Sequence, residues 1–317
     1  RMPVVKINHT FRKALKKLAS ENIDCGIVQT QIYTNSAVGA RFFAKHNIPA
    51  IVINHGTNHM VIGNALTSFA GRVYEHLNTA AIKHYCKNFY GVSQSCNQWL
   101  AHFGVTATDT LYNSVDPQQL EQLAYAPACS FRQAYGLTQK DKIICFTGRL
   151  VAEKGPQKLV QAYTLLPEAL RADTYLFIAG DGALMPQLQP HATSHIILLG
   201  SLPFAKIVPL LCESDIFCLP TDYPEGLPTS VLEAVACKCF VITTTRGGSK
   251  ELITGRDYGI ILQENTPSAI SLALAEALSQ PKACKAAADK SYSRLLEAFT
   301  WEATCTKLEQ IDWRALR

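Results

Sequence analysis

A chain of 317 residues is longer than the ~250–300 at which a single hydrophobic core stops growing, so two domains are expected. Hydrophobic residues make up 48% and charged residues 17%, which excludes a disordered chain and supplies apolar side chains for sizeable cores. The formal net charge of +5 accommodates an anionic small molecule but is no footprint of nucleic-acid binding.

No run approaches the ~20 apolar residues needed to cross a bilayer. Residues 1–20 mix Lys, Arg, His and Asn without an apolar stretch, so they do not read as a signal peptide, and a cytoplasmic protein is expected. The first predicted helix, residues 11–19, puts Phe11, Leu15 and Leu18 on one face and Arg12, Lys13, Lys16 and Lys17 on the others. A basic amphipathic helix of this kind suits peripheral contact with the anionic inner face of a membrane. An ordinary solvated surface helix is the simpler reading.

Strands are expected next at residues 23–28, 50–53 and 89–92, with a weaker one at 110–112. Helices are expected at 35–45, 69–86 and 94–103. Four strands make a thin Rossmann-like sheet that looks incomplete. The polar, turn-prone Asn113-Ser114-Val115-Asp116-Pro117 reads as a hinge, which divides the chain into domains at 1–116 and 117–298.

The second half alternates cleanly. Apolar runs rich in Val, Ile and Phe occupy residues 143–147, 175–179, 196–199, 216–219, 240–243 and 259–262. Helical patterns lie between them, at 157–166, 184–189, 204–213, 228–236 and 267–278. Near-continuous apolar strands separated by helices mean a parallel sheet covered on both faces, hence a doubly wound α/β domain. Two such domains facing a central cleft put ligands outside the carboxyl ends of their strands.

The 11 cysteines are scattered singly apart from Cys237-Lys238-Cys239, without any C-x-x-C. Several interrupt apolar runs, so buried, reduced thiols are the favoured reading over a zinc site or a disulfide framework.

Two segments carry chemistry. After the first strand of the second domain, Gly148 turns the chain, and Arg149 and Lys154 follow in one short loop. Together they suit a diphosphate, Arg as a planar fork and Lys as a point charge, although a solvated surface pair would look the same. The second segment runs from Pro224 to Ala234. Pro228 suits a first helical position, and the amides of Thr229 and Ser230 with the helix dipole then make an anion site. Thr229 and Glu233, four apart, share one helix face. Glu225 stands in the loop before them. Either glutamate alone would read as ordinary, Glu233 as an acid complementing the helix dipole.

The order of these features resembles the family-4 glycosyltransferases of GT-B fold. Their E-G-F-G-x-x-x-x-E-A-x-A-C-G-x-P-V pattern is similar to the stretch from Glu225 through Glu233, Ala234, Val235, Ala236 and Cys237. A later G-G-x-x-E is matched by Gly247-Gly248-Ser249-Lys250-Glu251. Asn113-Ser114-Val115-Asp116 resembles their N-G-V-D hinge, and Gly148-Arg149 with Lys154-Gly155 their G-R-x-x-x-x-K-G. Gly180-Asp181-Gly182 resembles their G-D-G turn, and Phe299-Thr300-Trp301-Glu302 their final F-S-W-E helix, here residues 299–317, which would pack back on the first domain.

The resemblance implies a retaining hexosyltransferase that moves a sugar from a nucleotide-diphosphate donor to an acceptor hydroxyl, without metal or other cofactor. Arg149 and Lys154 would hold the diphosphate and stabilise the leaving group. Glu225 would hold donor-sugar hydroxyls and Glu233 the ribose. Backbone at Gly226, Leu227 and Thr229 would line sugar and phosphate, backbone at Leu202 would meet the base, and His55 would face the donor sugar. The absence of any Asp-x-Asp agrees with fixed cations taking a metal's electrostatic part. The implied acceptor is a sugar or a lipid-linked sugar, in surface or capsular polysaccharide or glycolipid assembly.

Three departures from the pattern qualify it. Pro228 stands where the family often has Gly, Lys238-Cys239-Phe240 replaces Gly-x-Pro, and nothing before Ile23 resembles the family's opening strand and Gly-rich loop. The first domain is therefore expected to be incomplete at its start. A truncated, non-catalytic nucleotide-binding protein and a GT-B-fold sugar-nucleotide epimerase are the alternatives.

Overall fold

The computed structural model describes residues 8–60, 63–124 and 130–316. Residues 1–7 of the amino-terminal segment and Cys129 lie outside them. The described chain divides into two compact units. The first takes residues up to Tyr112 together with Pro224–Leu227 and Cys305–Arg317, and the second takes Asn113–Tyr223 and Pro228–Thr304.

In the first unit, β1 (Gly26–Gln29), β2 (Ala50–Asn54), β3 (Phe89–Gly91) and β4 (Asp109–Thr110) pair in that order, all parallel. β2 is buried along its whole length, as an inner strand covered on both faces must be. β1 alternates, with Val28 in the core and Ile27 outside. It starts three residues later than its apolar pattern suggests, because the ladder begins where Gly26 meets Ala50. Only glycine serves there: a Cβ would lie 2.6 Å from the Phe43 ring of helix Thr34–Lys45. Val28, Ala40, Val52, Ile82, Phe89 and Leu100 join in one core cluster.

The helix expected from residue 69 begins at Ala65, since Asn64 and Thr67 cap it reciprocally: each side chain accepts from the other's amide. It runs to Tyr85 and leaves Leu66, Phe69, Val73 and Leu77 exposed at helical spacing. The helix expected over 94–103 is α-helical only through Leu100, then tightens into a 3-10 turn, Ala101–Phe103, ended by Gly104 at φ +62°. The basic helix runs His9–Leu18 and buries none of its residues.

The second unit holds six parallel strands: β5 (Lys142–Thr147), β6 (Thr174–Ala179), β7 (Ile196–Gly200), β8 (Ile216–Leu219), β9 (Phe240–Thr244) and β10 (Ile260–Leu262). Their order is β10-β9-β8-β5-β6-β7. Counted from β5, this is the 3-2-1-4-5-6 order of a doubly wound nucleotide-binding sheet, whose direction of winding reverses between β5 and β8. Every residue of β8 and β9 is buried, which is why these strands read as unbroken apolar runs.

Helices Pro156–Thr164, Phe204–Glu213 and Pro267–Ser279 lie close to expectation. Helix Pro281–Ala298 was not anticipated. Its inner face is Ala287, Ala288, Ser291 and Leu295, small residues that let it pack closely yet make a weak hydrophobic pattern. Pro117–Ala124, Phe131–Ala134 and Glu168–Arg171 are further helices too short to show a helical period in the sequence.

No helix among the described residues is long and apolar enough to cross a membrane. All ten described cysteines are free. The expectation of burial fits Cys86, Cys96, Cys145, Cys218 and Cys239 but fails at Cys25, Cys212 and Cys305, which are exposed. Burial pushes the Cys145 thiol up to about 12, where it stays protonated and inert.

Candidate active site

The reversal of winding puts the carboxyl ends of β5 and β8 side by side, and the loops leaving both carry the second unit's chemistry. After β5, the Gly148 amide donates to Ala179 O at 3.0 Å and the chain passes through Arg149 into a 3-10 turn, Ala152–Lys154. Gly155 ends that turn at φ +77°, and a Cβ on it would lie 2.0 Å from Pro220 O in the loop after β8. That second loop is held to the first by one acceptor. Glu153 O receives Thr221 Oγ1 at 3.1 Å and the amides of Asp222 and Tyr223 at 2.6 and 3.0 Å.

The docking brings the two expected cations onto one ring. The Arg149 guanidinium lies 5.7 Å and the Lys154 ammonium 5.4 Å from the centroid of Tyr223. Such contacts contribute only about 0.5–1 kcal/mol at an exposed site, so their effect is chiefly to hold two like charges on one surface. Tyr223 was not singled out in the sequence; an aromatic in a polar loop just before a Glu-Gly turn was the available signal.

Helix Thr229–Ala236 begins one residue later than expected. Pro228 is its N-cap, at φ −65° and ψ 118°, rather than its first helical residue, because the extended ψ breaks the helical repeat. Proline offers no side-chain acceptor, so no cap occupies the space in front of the exposed Thr229. Glu233 lies in the following turn, half-buried, and burial raises its pKa. Two buried hydroxyls at strand carboxyl ends have no hydrogen-bond partner among the described residues: Thr147 Oγ1 at the end of β5 and Ser249 Oγ after β9. Buried donors left so cost about 1–3 kcal/mol each unless something binds them. Leu202 stands apart, beyond β7 at the edge of the sheet, half-buried before helix Phe204–Glu213.

In the first unit, His55 leaves the carboxyl end of β2. Its Nε2 is 2.5 Å from Gln29 Oε1 at the end of β1, and desolvation lowers its pKa. The turn is pinned by buried Asn54, whose Nδ2 donates to Gly56 O at 2.9 Å and Cys96 O at 3.1 Å while its Oδ1 accepts the Gly56 amide at 3.2 Å. The same unit includes Glu225, Gly226 and Leu227. Thr57 Oγ1 donates to Glu225 O at 3.1 Å, and a Cβ on Gly226 would lie 2.2 Å from His55 O. Glu225 is buried, 8% exposed, and Leu227 is buried as well. Gln31, which no sequence motif marks, is fully buried after β1, and neither of its amide atoms has a partner among the described residues.

A cavity of about 590 Å³ lies elsewhere, at the amino ends of β5, β8 and β9, lined by Lys142, Asp215, Ile216, Lys238, Phe240 and Lys282 among others. In open α/β sheets ligands sit at the carboxyl ends, so this cavity is not the candidate site.

Two sheets of parallel strands covered by helices, with cations gathered where the winding reverses, define a GT-B glycosyltransferase fold. The chain belongs to the glycosyl transferases group 1 family, whose pattern matches residues 130–294, just over half its length. An uncharacterised glycosyltransferase of Methanocaldococcus jannaschii is 22% identical over 98% of this chain and 80% of that protein. A GDP-mannose-dependent monoacylated alpha-(1-6)-phosphatidylinositol monomannoside mannosyltransferase of Corynebacterium glutamicum is 29% identical, covering 63% of this chain and 55% of its own. Among solved structures, Anabaena HepE in complex with UDP superposes with a TM-score of 0.75 at 16% identity, over 94% of this chain and 80% of HepE.

Proposed function

We propose that this glycosyltransferase moves a hexose from a nucleotide-diphosphate sugar to an acceptor hydroxyl with retention of configuration. The observation that carries the reading is the pair Arg149 and Lys154 gathered over Tyr223 at the reversal of the sheet. Two cations fixed there neutralise the charge that develops on a departing diphosphate, which is the electrostatic task a metal performs in other designs. The uncapped start of helix Thr229–Ala236 supports the same assignment, as do the hydroxyls of Thr147 and Ser249, which have no partner among the described residues.

In this proposal Arg149 and Lys154 hold the diphosphate and Glu233 accepts from the ribose. Glu225 accepts from donor-sugar hydroxyls, and backbone at Gly226, Leu227 and Thr229 lines sugar and phosphate. Leu202 meets the base through its backbone, and His55 faces the sugar with a lowered pKa that keeps it neutral. No metal takes part. HepE was solved with UDP and the corynebacterial relative is GDP-mannose-dependent, so UDP and GDP sugars are the donors to try. A sugar or lipid-linked acceptor is proposed, in polysaccharide or glycolipid assembly. Peripheral contact with an anionic membrane face is supported by the helix His9–Leu18 with its four cations and by the exposed Leu66, Phe69, Val73 and Leu77.

Calorimetric titration with a nucleoside diphosphate and with its sugar, in chelator, tests the assignment. Glu225→Ala is expected to leave the bare nucleotide nearly unaffected and to weaken the sugar nucleotide. Glu233→Ala is expected to weaken both by roughly 1–3 kcal/mol. Equal loss of the bare nucleotide in the two variants overturns the roles, and abolition of binding by chelator overturns the metal-free reading.

A further inference from the structure

Three histidines from separate elements of the first unit converge. His59 lies in the turn after β2, His76 on helix Ala65–Tyr85, and His102 in the 3-10 turn Ala101–Phe103. One ring nitrogen of each lies within 4.8 Å of the others, and the Nε2 atoms of His59 and His102 are 3.0 Å apart. Zinc–nitrogen bonds of about 2.0–2.1 Å in a tetrahedron separate the nitrogens by roughly 3.3–3.4 Å. The His59–His102 pair therefore needs a shift of only a few tenths of an ångström, and His76 a modest side-chain rotation.

A buried carboxylate stands behind the cluster. Glu75 is 1% exposed; one of its oxygens pairs with His59 Nδ1 and the other accepts the Met60 amide at 2.8 Å. That pairing makes Nδ1 the protonated nitrogen of His59 and turns the Nε2 lone pair towards His102. It is the carboxylate–histidine arrangement that orients metal ligands and raises their basicity. The rings are also held in place. Trp99 stacks on His102 with centroids 4.6 Å apart and planes at 7°, and Phe103 meets His59 edge-on.

We propose that His59, His76 and His102 bind one divalent cation of the zinc class, with Glu75 orienting His59 and a fourth position left to water. Imidazole donors select zinc, cobalt, nickel or copper over magnesium and calcium. The site is structural in effect. It ties the turn whose first residue is His55 to two helical elements, so occupancy stiffens that turn, and it stands independently of the reading of the donor-binding residues.

The test uses the full chain, stripped with chelator and titrated with zinc alone, then with cobalt. One equivalent of zinc is expected to bind and to raise the unfolding midpoint. The cobalt form is expected to show tetrahedral visible bands without the near-ultraviolet thiolate band that ligation by the cysteines would produce. His76→Ala and His102→Ala replace exposed side chains, so both variants should fold, and each should lose at least tenfold in zinc affinity. Glu75→Gln should lose ~10–100-fold, the usual effect of removing an orienting partner. Unchanged affinity in His102→Ala, a thiolate-dominated cobalt spectrum, or failure of zinc to bind the wild-type chain overturns the proposal.

Discussion

In the second unit the loops that carry Arg149, Lys154 and Tyr223 meet backbone against backbone, with side-chain bonds such as Asn265 Nδ2 to Pro220 O added to that contact. Gly155 admits Pro220 O where a Cβ would lie 2.0 Å away, Gly180 admits Gly148 O where a Cβ would lie 1.8 Å away, and Glu153 O gathers three donors. In the first unit the turn that carries His55 has one such approach, from Gly226, but is held chiefly by side chains. Asn54 makes three hydrogen bonds to the main chain around it, and Gln29 meets the imidazole. Backbone approach depends on glycine and leaves a mark in the sequence. A side-chain network depends on a partner dozens of residues away, and one asparagine at the end of an apolar run gives no hint of it.

Substitutions at the two kinds of restraint should therefore fail differently. The largest effect is expected at Gly155, where alanine meets both a left-handed backbone and a carbonyl that cannot step aside. Gly155→Ala should cost roughly 3 kcal/mol or more in urea unfolding and weaken nucleotide binding, since the loops separate. Gly136 supplies the control: it too has positive φ, +66°, but open space around it, so alanine there should cost about 1–2 kcal/mol. Similar costs at the two glycines would show that conformation alone, and not the close approach, fixes the loops.

Arg149→Ala should weaken a nucleoside diphosphate by roughly 1.5–3 kcal/mol, the range for hydrogen bonds to charged groups. Titration at two salt concentrations should show the deficit shrinking as salt rises. In the first unit, Asn54→Ala removes the bond to the Cys96 carbonyl and both bonds to Gly56. A loss of roughly 1–3 kcal/mol in stability is expected, read from the urea midpoint. Nucleotide affinity should hold, and a fall equal to that of Arg149→Ala would mean the two restraints are not separate. Tyr223→Leu should be milder, about 0.5–1 kcal/mol in nucleotide affinity, because the ring organises the cations rather than bearing charge.

The smallest effect concerns pH. Desolvation holds the pKa of His55 below its ordinary value of 6.5. As pH falls past that value the unfolded chain takes up the proton first, so stability drops until His55 itself protonates. His55→Gln should remove that share of the loss. A shallower decline of the thermal midpoint below the ordinary histidine pKa is expected, and an unchanged slope would mean that the Gln29 contact offsets the desolvation.

Much of this protein was legible in one dimension. The six apolar runs of the second half, the loop bearing Arg149 and Lys154, and the spacing of Glu225 from Glu233 each follow from residues close together in the chain. Parallel strands buried on both faces are recorded as continuous Val, Ile and Phe, and those runs matched β5 to β10 within a residue at each end. Tertiary structure alone decided the remainder. It set the Tyr223 ring beside the two cations, grouped Glu225 with the unit of His55, and shaped helix Pro281–Ala298 around alanine and serine. It also gathered His59, His76 and His102 around the reach of one buried glutamate. The reason is physical. Periodicity reports how much of a segment is buried, whereas the identity of a neighbour depends on contacts between elements far apart in the chain, and no local pattern encodes those.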